Sequence, residues 1–70
     1  MTALLEIIEE LREEHGSINA AARAIGMPQA TLHNLARGAD PSIESLRLIA
    51  RARNVPLWKL VQKLEAGAGV

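Results

Sequence analysis

Gln29, Ala30, Thr31, His33 and Asn34 crowd hydrogen-bonding side chains into one short stretch of the chain. Two carboxamides, a hydroxyl and an imidazole offer donors and acceptors in fixed pairs, beside one small methyl group. Such a set suits the recognition of a polar edge, for instance that of a nucleic-acid base. It does not suit bond-breaking chemistry. Serines, histidines and acids occur elsewhere, but no spacing among them activates a nucleophile, and 70 residues offer little volume for a water-excluding pocket. His15 and His33 are the only imidazoles, their spacing matches no metal motif, and there is no cysteine. No enzyme, no small-molecule substrate, no metal and no cofactor is expected.

The elements that must hold these side chains lie within SINAAARAIGMPQATLHNLARG, residues 17–38. Ser17 caps a helix of about Ile18 to Ile25, in which Ala20, Ala21, Ala22 and Ala24 favour helix and permit close approach of a neighbour. Gly26 sits where a left-handed residue reverses the chain, and Met27 plugs the gap between the helices. Pro28 suits the first position of a second helix, about Pro28 to Arg37, which stops at Gly38. Leu32 and Leu35 are its apolar positions, so the polar side chains face outward.

Three further helices flank this pair. Leu4, Ile7, Ile8 and Leu11 recur at helical spacing behind a capping Thr2, with Leu5 broadening the stripe and glutamates on the other face, until Gly16. After Ala39, Asp40 and Pro41, Ser42 caps a fourth helix, with Ser45 forming a weak capping box; Ile43, Leu46, Ile49 and Ala50 form its buried face beside Leu48, and Asn54 is its left-handed stop. Pro56 opens a fifth, with Leu57, Leu60, Val61 and Leu64 on one side and Lys59, Gln62 and Lys63 on the other; Trp58 is expected in the core or at a subunit contact. The expected architecture is all-α, one domain over residues 1–65 with a flexible tail at 66–70.

The formal charge is zero, which argues at first against a nucleic-acid partner. Its distribution argues the other way. Glu6, Glu9, Glu10, Glu13 and Glu14 face only Arg12 in the first helix, whereas Arg23, Arg37, Arg47, Arg51, Arg53, Lys59 and Lys63 outnumber Asp40, Glu44 and Glu65 in the rest. One face can attract phosphate while another repels it. Arg47, Arg51 and Arg53 read more simply as a solvated face. A single aromatic, Trp58, makes a stacking platform for single strands improbable. The apolar runs are too short to span a membrane and the N-terminus is too acidic for a signal peptide, so a cytoplasmic location is expected, on the nucleoid if bacterial.

Two short helices joined by a glycine-containing turn are the signature of a helix-turn-helix, whose second helix enters the DNA major groove. GMPQATLHNLARG resembles the corresponding segment of the lambda-repressor-like, Cro or XRE-type family, and PSIESLRLIARARNVPLWKLV resembles that family's fourth and fifth helices; together the resemblance covers roughly residues 4–64. There are departures. Ile18 stands where the family commonly has a phosphate-gripping glutamine, and Pro28 and Pro56 stand where serine is usual. GSINAAARAIGM also resembles the Fis-type helix-turn-helix, and the alanine- and glutamate-rich helices suit an engineered chain.

The resemblance implies a five-helix domain that binds specific double-stranded DNA as a transcriptional-regulator-type or designed module. It implies base contacts from Gln29, Ala30, Thr31, His33 and Asn34: Gln29 and Asn34 on adenine, Ala30 on a thymine methyl, His33 donating to guanine N7 or O6, and Thr31 on base or phosphate. Phosphate contacts are expected from Ser17, Asn19, Arg23, Arg37 and Ser42. The acidic first helix is expected to face away from DNA. Monomer and homodimer both fit. The alternative is an antitoxin-like protein-interaction module that keeps the scaffold and binds a partner through its fifth helix.

Overall fold

A computed structural model describes the backbone of residues 2–68 and the side chains of residues 3–65. Five helices follow one another: α1 (Thr2–His15), α2 (Ile18–Ile25), α3 (Gln29–Ala36), α4 (Ile43–Ala52) and α5 (Leu57–Ala68). No strand occurs among the described residues. The expected all-α, five-helix architecture is the one observed. The side chain of Thr2, read as a cap, lies outside the described residues; the backbone there is already helical. α5 continues through Glu65 into the stretch read as a tail, and residues 69 and 70 lie outside the described residues.

The helices meet around a core made by the periodic apolar positions. Leu4, Ile7, Ile8 and Leu11 of α1, Ala21 and Ala22 of α2, Met27, Leu32 and Leu35 of α3 and its approach, Leu46, Ile49 and Ala50 of α4, and Leu60 and Leu64 of α5 are all buried. α1 packs against α2, α3 and α5; α2 packs against α3 and α4; α4 packs against α5. Leu11, Leu32 and Ile49 are the largest fully buried side chains among the described residues. Each contributes about 1.5–3 kcal/mol by leaving water.

Helix ends are specified by short polar devices. Ser17 Oγ accepts from the Ala20 N–H at 3.0 Å, and Ser42 Oγ accepts from the Ser45 N–H at 3.1 Å. Each satisfies one N–H that the helix itself leaves unpaired. The expected capping box takes a variant form, because Ser42 Oγ also donates to Ser45 Oγ at 3.0 Å and Ser45 is buried. The bond gives the buried Ser45 oxygen a donor. Asn54 stops α4 with φ +59°, while the Val55 N–H reaches the Ala50 carbonyl at 3.0 Å.

Several sequence expectations are corrected. Pro28 is not the first residue of α3; with φ −58° and ψ 139° it is the extended residue before it, and its carbonyl accepts from Thr31 and Leu32. Pro56 likewise precedes α5, its carbonyl accepting from Lys59 and Leu60. α3 ends at Ala36, with Arg37 as its cap. Ile43 is 59% exposed and Trp58 67% exposed, neither of them core, and Leu5 is exposed as well. Ile43 is the first residue of α4, and Trp58 sits at the margin of a stripe on a helix that packs only against α1 and α4, so no neighbouring helix covers either.

Candidate nucleic-acid interface

The α2–α3 pair is the part of the fold where geometry and polar chemistry coincide. Ala21 and Ala22 are fully buried, and their lack of side-chain bulk lets α3 approach α2 closely. Gly26 closes α2 in a left-handed conformation (φ 80°, ψ 23°), and its N–H reaches the Arg23 carbonyl at 3.3 Å. The Met27 N–H then reaches the Ala22 carbonyl at 2.9 Å. An L-residue is strained at positive φ, so glycine is the natural occupant of this reversal. Met27 turns inward and is buried, as expected of a plug between the helices.

α3 has two sharply different sides. Leu32 and Leu35 are buried against α1 and α2, while Gln29, Ala30 and Asn34 are exposed and Thr31 and His33 are half-buried. Gln29 and Asn34 make no side-chain hydrogen bond among the described residues. Their carboxamides are free to bond a ligand. Arg37, at the end of α3, is exposed and forms no ion pair among the described residues.

The residues read as phosphate ligands are disposed differently. Ser17 and Asn19 are exposed at the start of α2, and Arg23 is exposed near its end. The Ser17 hydroxyl accepts from Ala20, which leaves its proton available. Ser42 is exposed, but its hydroxyl proton is engaged by Ser45, so an anion there would compete with an existing bond. Asn19 and His33 are brought together: Asn19 Oδ1 lies 2.7 Å from His33 Nε2. Their pairing is not legible from spacing, since 14 residues separate them in the chain.

Charge is arranged partly as the sequence suggests. Arg23, Arg37, Arg47 and Arg51 are exposed and outside any ion pair among the described residues. Arg53 departs from the solvated face expected of it. Nη2 donates to Glu10 and Nη1 to Glu14, each at 2.8 Å, and the side chain is half-buried. Within α1, Arg12 holds Glu9 in a two-pronged ion pair, and the Arg12 hydrogen bond draws the Glu9 carboxyl below its ordinary value of 4.5. No group of side chains suited to a metal ion occurs among the described residues, and no described helix is long and apolar enough to cross a membrane.

Comparison with curated proteins and with solved structures returns no match. A helix-turn-helix family model matches residues 8–57, from within α1 to the first residue of α5. The match spans the capped helix α2, the left-handed turn at Gly26 and the two-sided helix α3, together with the α1 and α4 packing that supports them. On these grounds the chain belongs to the lambda-repressor-like helix-turn-helix family and is a DNA-binding domain of that family.

Proposed function

We propose that the protein binds specific double-stranded DNA by laying α3 in the major groove, as the DNA-binding module of a transcriptional regulator or of a designed binder. One observation carries the reading: α3 exposes Gln29, Ala30 and Asn34 while burying Leu32 and Leu35. Gln29 and Asn34 then meet adenine edges, Ala30 meets a thymine methyl, and Thr31 and His33 complete the reading surface. Ser17, Asn19, Arg23 and Arg37 hold phosphates on either side, with Ser42 the least free to do so. α1, acidic and already partnered by Arg53, faces away.

Anisotropy titration over a library of duplexes tests this. The wild-type chain prefers some duplexes, and Gln29→Ala with Asn34→Ala removes about 1–3 kcal/mol of that discrimination for each bidentate hydrogen-bond pair abolished. Affinity falls with salt at a slope of about −0.9 per neutralised phosphate. Equal binding to every duplex at low salt sinks the proposal. A second reading, docking of a protein partner on α5, is favoured by the exposure of Trp58 beside half-buried Leu57 and Val61. It requires partner binding to vanish in Trp58→Ala and persist in Gln29→Ala.

A further inference from the structure

We propose that Asn19 is a positioning residue for the base-reading helix: it holds a DNA phosphate through Nδ2 while its Oδ1 fixes the His33 imidazole, so the two discriminate bases as one unit. The inference rests on the DNA-binding reading and adds to it a coupling between a backbone contact and a base contact. The two side chains come from different helices and meet at 2.7 Å. No other side-chain hydrogen bond joins α2 to α3 among the described residues.

The chemistry of the pair sets its polarity. A carboxamide oxygen can only accept, so His33 Nε2 carries the proton that it shares with Asn19 Oδ1. In the neutral ring Nδ1 is then bare and is an acceptor. Neutral His33 therefore suits a base amino group, adenine N6 or cytosine N4, in place of the donation to guanine that its residue type alone suggests. Asn19 itself retains both Nδ2 hydrogens, since its one side-chain bond among the described residues is through Oδ1. Asn19 lies in the first turn of α2 and is exposed, two residues from the Ser17 hydroxyl. A phosphate that accepts from Nδ2 polarises the carboxamide and strengthens Oδ1 as an acceptor, which stiffens the imidazole.

The test uses the full chain, with every variant in the same alkaline buffer. A duplex panel varied one base pair at a time is titrated with wild type, Asn19→Ala, His33→Ala, the double variant and His33→Gln. His33→Ala marks the base pair that His33 reads as the one where preference collapses. Asn19→Ala is expected to relax preference about tenfold at that same pair, and to reduce the salt slope by about 0.9. The double variant is expected to discriminate there no worse than His33→Ala. His33→Gln, whose amide N–H can still reach Asn19 Oδ1, is expected to retain the dependence on Asn19.

Nitrogen NMR of the His33 ring without DNA gives a separate readout: the Nε2–H tautomer in wild type, and a mixture of tautomers in Asn19→Ala. Uniform weakening of all duplexes by Asn19→Ala, additive losses in the double variant, or an unchanged tautomer overturns the inference alone. A wild-type chain without any sequence preference overturns the DNA reading, and the inference with it.

Discussion

Arg53 Nη2 lies 2.8 Å from Glu10 Oε1, joining the residue that caps the end of the fourth helix to the middle of the first. The same guanidinium reaches Glu14 with its other terminal nitrogen, one helical turn further along α1. Glu10 and Glu14 are four residues apart, the spacing that puts two side chains on one helix face. Arg53→Gln keeps much of the aliphatic packing and removes both ion pairs. It is expected to lower stability by about 1 kcal/mol at low salt, with a smaller loss at high salt, in urea denaturation. An unchanged midpoint in low salt shows the two pairs to be energetically idle.

Gly26→Ala tests the turn. A Cβ at this position meets nothing within 4 Å, so no clash accompanies it, and the whole penalty comes from the φ of +80°. The expected loss is about 1–2 kcal/mol, and Gly26→Asn, which tolerates the left-handed region better, costs less. Thermal unfolding of the two variants side by side checks the order. Equal midpoints for glycine, asparagine and alanine dismiss a conformational role for the turn.

Leu32→Ala opens a cavity beneath the proposed reading surface, at a side chain with no exposure at all. It is expected to cost about 2–5 kcal/mol. In a chain of this size that is a large share of the total. Its DNA affinity should fall with the folded fraction, so circular dichroism and binding, measured together, must change in step.

Trp58→Ser removes the most exposed large apolar side chain among the described residues. A change within about 0.5 kcal/mol is expected, because two thirds of the side chain is open to solvent. In the wild type, iodide should quench the tryptophan emission nearly as well as it quenches the free amino acid. A shielded, blue-shifted emission that depends on protein concentration contradicts this and places the ring in an interface.

Acid should weaken the first helix. Arg12 lowers the Glu9 carboxyl from its ordinary 4.5, chiefly through their side-chain hydrogen bond. A carboxylate depressed in the folded state stabilises it fully above the unfolded value and loses that contribution as pH falls through the folded value. Both groups are open to solvent, so the effect is modest and salt-sensitive. The difference in stability between wild type and Arg12→Gln should therefore shrink on moving below pH 4.5, as urea titrations at a series of pH values will show.

Much of this fold is written in local signals. The caps at Ser17 and Ser42, the reversals at Gly26 and Asn54, and the stripe of Leu4, Ile7, Ile8 and Leu11 depend on neighbours in the chain, and each is where its residue type places it. What failed depends on distant partners. Ile43 and, for its core alternative only, Trp58 are expected on covered faces, but how wide a stripe becomes covered is decided by the helices across from it. Arg53 and the Asn19–His33 pair are contacts between helices, and no periodicity encodes which residues of two helices will face each other. The proposed reading surface is intermediate in kind. Its residue types are visible in the chain, while their exposure follows only from how Leu32 and Leu35 seat α3.

That seating has an evolutionary corollary. α3 is held by α1 and α2 through Leu32 and Leu35, whereas Gln29, Ala30 and Asn34 contribute nothing to the core. On the proposed reading, the letters that keep the domain folded and the letters that address its target are different letters. Target preference could then drift, or be rewritten in the laboratory, at almost no cost in stability. The exception would be His33, whose clasp with Asn19 ties that position to a second helix, so a replacement there either keeps a donor for Asn19 Oδ1 or changes two residues at once.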